Sequence, residues 1–404
     1  MRTPWPCLLL YLLMVACSVT SLDKVSSSDL GSQPQAPFAF DMGKPIGDLR
    51  SVARDTGPGV SEADLIAPGT PVSSSDSSDS APSFGQIALP FRVIDAEFSR
   101  PLGRVVLLGE VPNRVYLIDV DSGDQQTIDL PLVGTAIAVS PDGRTAVVGH
   151  DGYISHLDLA KATLLSTPAV ACPVGDLVLG GNGFAYAFAS SDSGAAGIHT
   201  VRLSDGMELS TDDWTTPVRT RARLHPQGGW IYGADRGVPT DDIEKYDVSG
   251  GVAQYKYNSP YDGDYAVCGN LWFTEDGKRI ISACGRVFRT SALQTMDMIY
   301  AGSMLKDVRF LWAEHNAKVG YVAAIRSDNE SEGPSDADQS VALYEDNFLQ
   351  LQKELPLPAL LEAGVLHALH GRFVFFRADG QSVVVVADVD SVGKMPSALI
   401  RLGI

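Results

Sequence analysis

Three histidines are the residues of this chain best suited to acid–base chemistry. His150 follows an apolar run, and His367 and His370 form an H-x-x-H pair. We expect all three near turns at one face of the fold, where an imidazole could act as a general base. H-x-x-H would suit a metal on a helix, but its surroundings here predict a loop or strand. The sequence has no G-x-S-x-G, Walker, H-E-x-x-H or C-x-x-C motif, so no recognised catalytic motif accompanies these histidines.

Acidic residues enlarge the same face. The inserted segment ADRGVPTDDIEKY carries Asp241 and Asp242, and Asp151 lies beside the first histidine. Loops held by a rigid scaffold commonly carry binding residues, although charged runs are usually just solvated. These three aspartates and the three histidines together define the candidate ligand face.

A second insert, RSDNESEGPSDADQ, contains part of the spacing of a calcium-binding loop. Asp328, Glu330 and Glu332 precede Gly333 and read D-x-E-x-E-G, in which alternate oxygens can converge on one ion. The pattern then departs from an EF-hand, because position twelve is Gln339 and no flanking helices are predicted. A weak calcium site and a solvated acidic loop both stay open. Apart from calcium, the sequence indicates no cofactor.

Two of the five cysteines flank a predicted hairpin. Cys268 and Cys284 lie eight residues either side of Asp276, so they fall opposite or nearly opposite each other on adjacent antiparallel strands. In an exported protein this placement favours a disulfide over a pair of buried thiols. Cys172 is then left as a small core residue.

The N-terminal segment indicates export. One arginine precedes the apolar run from Cys7 to Val15, which is too short to span a bilayer and is typical of a signal peptide, residues 1–16. The letters MVAC resemble the lipobox of bacterial lipoproteins, in which the cysteine, here Cys17, becomes the lipid-modified first residue. This resemblance implies anchoring to a bacterial cell envelope, at the outer membrane of a two-membrane bacterium because Ser18 follows. Plain secretion is the alternative.

Residues 17–83 differ in composition from the rest of the chain. They are rich in Ser, Pro, Gly and Asp and end in the low-complexity run SSSDSSDSAPS. Such a segment cannot bury enough apolar surface to offset its ordering entropy. We therefore predict a disordered, lipid-anchored tether that holds a folded domain, residues 84–404, off the membrane.

The elements that position the candidate residues follow an internal repeat. A turn followed by an apolar run recurs at Gly103, Gly143, Gly183, Gly228, Gly277, Asn316 and Gly380. A period of about 40 to 50 residues, with several short strands per unit, predicts an all-β chain folded as a seven-bladed β-propeller. FGQIALP, residues 84–90, echoes the outer strands of other units. We therefore predict that this N-terminal strand pairs with residues 397–402 and closes the last blade.

Two segments of the repeat carry a family resemblance. RVYLIDVDSGDQQTIDL and AIAVSPDGRTAVVG resemble the repeats of the YVTN family of seven-bladed propellers, which includes lactonase-like and surface-layer-like members. Further on, SPYDGDYAVCGNLWFTEDGKRIISACGRVFRTS resembles a segment of uncharacterised exported bacterial propellers. The first resemblance implies the same seven-bladed fold. Neither transfers a catalytic residue, because a propeller hosts many unrelated functions.

Charge limits the partners that the chain could have. Lys and Arg number 31 against 49 for Asp and Glu, which gives a net charge of −18 and argues against nucleic acid as a partner. Our first hypothesis is a monomeric, surface-tethered binding or scaffolding module whose loop-rich face engages a protein, glycan or envelope component. The alternative is a lactonase-like hydrolase or lyase with acidic and histidine side chains near the axis. An enzyme needs a base within about 3 Å of a substrate atom in a recessed pocket, so geometry discriminates between the two.

Overall fold

A computed structural model of the chain describes residues 85–190, 195–210, 215–234, 242–261, 263–304, 309–328, 334–390 and 395–404. All of them belong to the compact unit Asp76–Ile404. They form strands and turns, with two short 3-10 helices, Gln294–Met296 and Ala337–Gln339. The prediction of an all-β fold is confirmed for this part of the chain. The predicted signal peptide, Cys17 and the tether lie outside the described residues.

In the first half of the chain, the strands form one four-stranded and one eight-stranded antiparallel sheet. The four-stranded sheet contains β2 (Val93–Ser99), β3 (Arg104–Gly109), β4 (Arg114–Asp119) and β5 (Gln125–Asp129), and β1 (Gln86–Leu89) precedes it in the chain. The eight-stranded sheet contains β6 (Ala136–Val139), β7 (Thr145–Gly149), β8 (Asp151–Asp158), β9 (Thr163–Ser166), β10 (Ala169–Leu179), β11 (Phe184–Ala189), β13 (His199–Arg202) and β14 (Met207–Ser210). A two-stranded ribbon pairs β12 (Ala195–Ala196) with β15 (Thr216–Pro217).

In the second half, four sheets of four strands follow. The first contains β16 (Arg221–Leu224), β17 (Trp230–Ala234), β18 (Ile243–Asp247) and β19 (Gln254–Asn258), and the second contains β20 (Leu271–Phe273), β21 (Arg279–Ser282), β22 (Arg286–Arg289) and β23 (Tyr300–Ser303). The third contains β24 (Arg309–Asn316), β25 (Tyr321–Ser327), β26 (Ser340–Glu345) and β27 (Leu351–Pro356). After a hairpin of β28 (Leu360–Glu362) and β29 (Val365–His367), the last sheet joins β30 (Leu369–Phe376), β31 (Ser382–Val389) and β32 (Ser397–Gly403) to β1.

The sheets surround a common axis. Their innermost strands contact one another in chain order, namely β2, β6, β10, β16, β20, β24 and β30, and β2 also contacts β31 of the last sheet. The second strand of each unit is therefore covered on both faces, as in β3 and β31, whose residues are almost all buried. This is a β-propeller arrangement. No helix in the part of the chain described here is long and apolar enough to cross a membrane.

The number of separate four-stranded sheets is five, where the repeat predicted seven separate blades. The difference arises at β10, which is 11 residues long and pairs through its first part with β8, so that two predicted units merge into one sheet. Gly149 permits this close approach, because a Cβ there would lie 2.4 Å from Cγ1 of Val174. A side chain at that position would force the two halves of the sheet apart.

The N-terminal strand closes the last sheet, as the sequence predicted. Gln86 pairs with Ile400 and Leu89 with Ser397 in an antiparallel register. Leu89 is 1% exposed and belongs to the largest apolar cluster of the molecule. The pairing covers an edge of β32 that would otherwise expose unpaired backbone groups.

Candidate functional site

Two cavities lie along the axis. The first holds about 420 Å³ and lies at the loop-rich face, where the innermost strands begin and where the loops between second and third strands end. It is lined by Arg92, Ile94, Asp95, Thr135, Asp176, Arg221, Arg223, Asn270, Arg309, Phe310, Leu311, Trp312, Pro334, Asp338, His370, Gly371, Arg372, Phe373 and Asp388. Its size suits a small organic ligand.

Five arginines from four different sheets line this first cavity: Arg92 just before β2, Arg221 and Arg223 on β16, Arg309 at the start of β24 and Arg372 on β30. Arg372 is fixed by hydrogen bonds from Nη1 to Val93 O at 2.6 Å and from Nη2 to Ile94 O at 3.2 Å. These bonds join the last sheet to the first. The cavity therefore concentrates cationic side chains in a chain whose net charge is −18.

Two aspartates of the cavity connect neighbouring innermost strands. Asp95 accepts a hydrogen bond from Ile137 N at 2.9 Å, and Asp176 accepts one from Ala222 N at 2.7 Å and another from Arg221 at 3.2 Å. Burial raises the pKa of Asp95, and the bond from Ile137 opposes that rise. Both carboxyl groups are thus engaged in holding sheets together.

His370 and Asp338 form a close pair on the wall of the same cavity. His370 Nδ1 lies 2.6 Å from Asp338 Oδ1, and Asp338 Oδ2 accepts a bond from Ser335 N at 2.9 Å. Burial raises the pKa of Asp338, and the bond to His370 opposes that rise. Asp338 therefore fixes the orientation of the imidazole, and His370 Nε2 makes no hydrogen bond to any residue that the structure describes.

The second cavity, of about 560 Å³, lies at the opposite end of the axis, where the innermost strands finish. Its walls include Leu177, Trp272 and Phe375. Arg223 and Trp312 line both cavities, and the Arg223 guanidinium lies 5.3 Å from the centre of the Trp312 ring. This cation–π pair separates the two spaces.

Carboxyl groups with raised pKa values characterise the second cavity. Burial raises the pKa of Glu97 to about 8, although Arg223 opposes the rise, and burial raises the pKa of Glu314 to about 7. Arg100 reaches Glu314 at 2.6 Å and Glu275 at 3.1 Å. These contacts cross the cavity, since Arg100 follows β2 whereas the two glutamates belong to the sheets of β24 and β20.

The structure places the predicted histidines in three different environments. His150 is fully buried, with Nδ1 at 2.9 Å from Val133 O and Nε2 at 2.9 Å from Ser155 Oγ, and burial lowers its pKa. Its placement on the ligand face is therefore wrong, because the ring is buried and both of its nitrogens are engaged within the protein. His367 ends β29, with Nδ1 at 3.3 Å from Asp390 O, outside the residues that line the cavity. His370 alone of the three lines the first cavity.

The predicted aspartates are also separated. Asp151 is exposed at the start of β8. Asp242 is buried and accepts hydrogen bonds from Asn258 and Ser259, so it stabilises its own sheet and is not available to a ligand. Asp241 lies outside the described residues. Of the residues of the candidate ligand face that the structure describes, His370 is the one that lines the first cavity.

The structure describes one of the three residues of the predicted calcium site. Asp328 is exposed, and Glu330 and Glu332 lie outside the described residues. Among the residues that are described, no three His, Cys, Asp or Glu side chains form a group able to hold a metal ion. The calcium site stays a prediction.

The predicted cysteine pair comes together. Cys268 and Cys284 are linked at disulfide distance, with Cα atoms 5.3 Å apart. They lie just outside β20 and β21, not on the strands themselves. The carbonyl oxygen of Cys268 accepts a bond from Arg309 Nη2 at 3.2 Å, which connects the disulfide to the first cavity. Cys172 is a buried free thiol whose pKa is raised to about 12 by burial.

Sequence reasoning missed the arginines and the axial glutamates. A signal was present, because arginine stands at or beside the start of three innermost strands, in FRVIDAE, TRARLH and VRFLWAE, and at an irregularity within a fourth, in GRFVFF. Acidic residues also interrupt two of these apolar runs, as Asp95 and Glu97 do in VIDAEFS. Side chains two residues apart in a strand share a face, so such interruptions indicate an axis lined by polar groups.

Comparison with known proteins supports the fold alone. No family model matches the sequence, and no curated protein matches it. The β-propeller domain of Cps50 (Swd1) from Myceliophteria thermophila is similar in structure, with a TM-score of 0.56 and 14% identity over 78% of this chain and 96% of that one. Kuenenia stuttgartiensis hydrazine synthase gives a TM-score of 0.52 and 14% identity over the same shares. At this identity the likeness extends to the β-propeller fold and no further.

Proposed function

We propose that this chain is a binding module whose site is the first cavity, at the loop-rich face of the propeller. The observation that carries the proposal is the convergence of polar side chains from several sheets on one recess of about 420 Å³. Asp95 and Asp176 accept bonds from neighbouring innermost strands. These bonds keep the cavity wall rigid, as a preformed ligand site requires. The ligand would be a protein segment, a glycan or another envelope component.

We also propose that the propeller has seven blades. We count the eight-stranded sheet as two blades, because β6 to β9 and β10 to β14 each repeat the four-strand pattern of the other sheets. With the five separate sheets this gives seven blades, as in the YVTN family. The resemblance of RVYLIDVDSGDQQTIDL and AIAVSPDGRTAVVG to that family supports this count.

The cellular setting rests on the sequence. The apolar N-terminal run and the lipobox-like MVAC support export and lipid attachment at Cys17, with residues 17–83 as the tether. The module would then act as a monomer on the bacterial envelope, at the outer membrane where there are two membranes. Calcium at Asp328, Glu330 and Glu332 remains part of this proposal.

Blocking the cavity tests the binding function. Thr135 is an exposed residue of the cavity wall, so Thr135→Trp should fill the opening without changing any charge. Thr127→Trp, at an exposed position of β5, is the matched control. Full-length wild type and the control should retain the same component from envelope extracts, and the blocked variant should lose it. Equal retention by all three proteins would place binding elsewhere.

One contact favours a second candidate function, a hydrolase or lyase. The 2.6 Å bond between Asp338 and His370 Nδ1 orients the imidazole as an acid–base catalyst requires, with Nε2 available in the cavity. Wild type assayed on a panel of lactones and esters should then show turnover that His370→Gln lowers by roughly 100-fold or more. His367→Gln, outside the cavity, is the control. Absence of turnover across the panel, or equal rates in both variants, excludes this function.

A further inference from the structure

The first cavity is rich in arginine, although the chain as a whole is acidic. Against a net charge of −18, five guanidinium groups converge on one recess. Arginine does not lose its charge in proteins, so these groups repel one another unless acceptors lie between them. The carboxylates of the cavity are the first acceptors to consider.

Those carboxylates are already engaged within the protein. Asp95 accepts bonds from Ala96 N and Ile137 N, Asp176 from Ala222 N and Arg221, and Asp338 is bonded to His370. Asp388 approaches Arg372 only to 3.6 Å. These carboxylates therefore divide their contacts between backbone amides and arginines, and Asp176 and Asp388 reach Arg223 and Arg372 only at 3.9 Å and 3.6 Å. They do not use all of the guanidinium donors of the cavity.

Three arginines retain donors that the described protein does not use. A guanidinium carries five N–H donors. The exposed side chain of Arg92 bonds to no residue in the described ranges. Arg223 donates one bond, to the neighbouring Ala222 O at 3.1 Å, lies over Trp312 and forms a long ion pair with Asp176 at 3.9 Å. Arg372 donates two, to Val93 O and Ile94 O, which hold it in place. The cavity thus has more guanidinium donors than acceptors, and the donors of Arg372 are held in place.

We propose that the first cavity binds a small organic anion, a carboxylate or a phosphate ester, through Arg92, Arg223 and Arg372. This inference rests on the proposed binding function and names its ligand class. A planar guanidinium fork matches the two oxygens of a carboxylate or phosphate, and such charge-assisted bonds are stronger than neutral ones. Trp312 and Phe373 supply aromatic surface for the uncharged body of the ligand.

Pairs of charged and neutral compounds of similar shape test the proposal. The probes are glucuronate and glucose 6-phosphate, each against glucose, and benzoate against benzamide. Binding to the full chain is measured by calorimetry and by the shift in melting temperature, at low and high salt. At least one anion should bind while its neutral partner does not, and its affinity should fall as salt rises. The two sugar anions distinguish a carboxylate from a phosphate ligand.

Charge variants complete the experiment. Arg92→Gln removes an exposed guanidinium at the cavity opening and should weaken anion binding by about tenfold, equivalent to about 1.4 kcal/mol. Arg144→Gln removes an exposed arginine from the turn between β6 and β7 and should change nothing. Equal binding of charged and neutral probes, binding of none, or equal loss in both variants overturns the anion assignment. The binding function itself fails only if blocking the opening at Thr135 leaves retention of the envelope component unchanged, so the two failures are distinct.

Discussion

The two cavities on the axis are built from the same strands but differ in their ionisable groups. At one end, Arg92, just before β2, and Arg309, at the start of β24, place guanidinium groups in the first cavity. At the other end, the same strands contribute Glu97 and Glu314, whose raised pKa values favour the protonated acid. The cation–π pair of Arg223 and Trp312 lies between them. Where a residue lies along an innermost strand thus determines which of the two cavities it lines, whichever strand it belongs to.

Removing the strand that closes the ring should disturb both cavities and cause the largest loss of stability. A chain that begins at residue 91 lacks β1, and so loses its ladder with β32 and the buried Leu89. We expect a loss of roughly 5 kcal/mol in the free energy of unfolding, from one apolar side chain and several hydrogen bonds. Denaturant unfolding measures it. A chain that begins at residue 85 is the control, and equal midpoints for the two would contradict closure by β1.

Removing the disulfide should affect the first cavity more than the second. Cys268→Ser with Cys284→Ser opens a cross-link between residues 16 apart, which should cost about 3 kcal/mol of stability. Because Arg309 donates to Cys268 O, anion binding should weaken as well. Cys172→Ala is the control for loss of a buried sulfur. Peptide mapping of the oxidised, unfolded protein should find Cys172 labelled by a thiol reagent and the pair protected; labelling of all three residues would exclude the disulfide.

The sequence predicted the features that depend on local pattern. The all-β repeat, the pairing of FGQIALP with the last strand and the meeting of Cys268 with Cys284 all follow from turn spacing and strand alternation. The merged sheet was missed, because it depends on the missing side chain of Gly149 and on the length of β10. His150 was misplaced because nearness to a turn does not say whether a ring is exposed or buried.

The binding site was harder to predict for a different reason. The polar residues of the axis lie on or just before several different innermost strands, so no single segment contains a motif. Arg92, Arg223 and Arg372 are far apart in the chain and meet only when the ring closes. A pattern search finds residues that are neighbours in sequence, whereas this site is assembled from one position in each of several units.

The protonation of Glu97 should make the second cavity sensitive to pH. The folded chain holds this proton up to about pH 8, whereas the ordinary pKa is 4.5. Protonated Glu97 therefore contributes its whole stabilisation below pH 4.5, and this stabilisation is lost as the pH rises through 8. A pKa rise from 4.5 to about 8 corresponds to at most about 5 kcal/mol, which solvent around this partly exposed side chain reduces. Glu97→Gln, which stays neutral, should therefore be more stable than wild type by on the order of 2 kcal/mol at pH 9 and equally stable at pH 4. Glu110→Gln, at an exposed position, is the control. Parallel pH profiles of wild type and Glu97→Gln would show that Glu97 ionises normally.

Removing the contacts of Arg100 should cause the smallest loss of stability. Burial raises the pKa of Glu314 to about 7, and Arg100 opposes that rise. Arg100→Gln should therefore raise this pKa further, while the loss of a partly exposed ion pair lowers stability by about 1 kcal/mol or less near pH 6. Carboxyl chemical shifts followed against pH report the pKa directly. An unchanged or lower pKa in the variant would mean that Arg100 does not act on Glu314.

The backbone ladder between β8 and β10 also affects how the ring can move. Elsewhere in the described chain, neighbouring units are separate sheets, but here one sheet crosses the boundary, with Val174 N bonded to His150 O and Ile154 N to Pro168 O. Residues 136–210 should therefore open and close as one cooperative unit in hydrogen exchange. Fluctuations that widen the axis are confined to the other junctions.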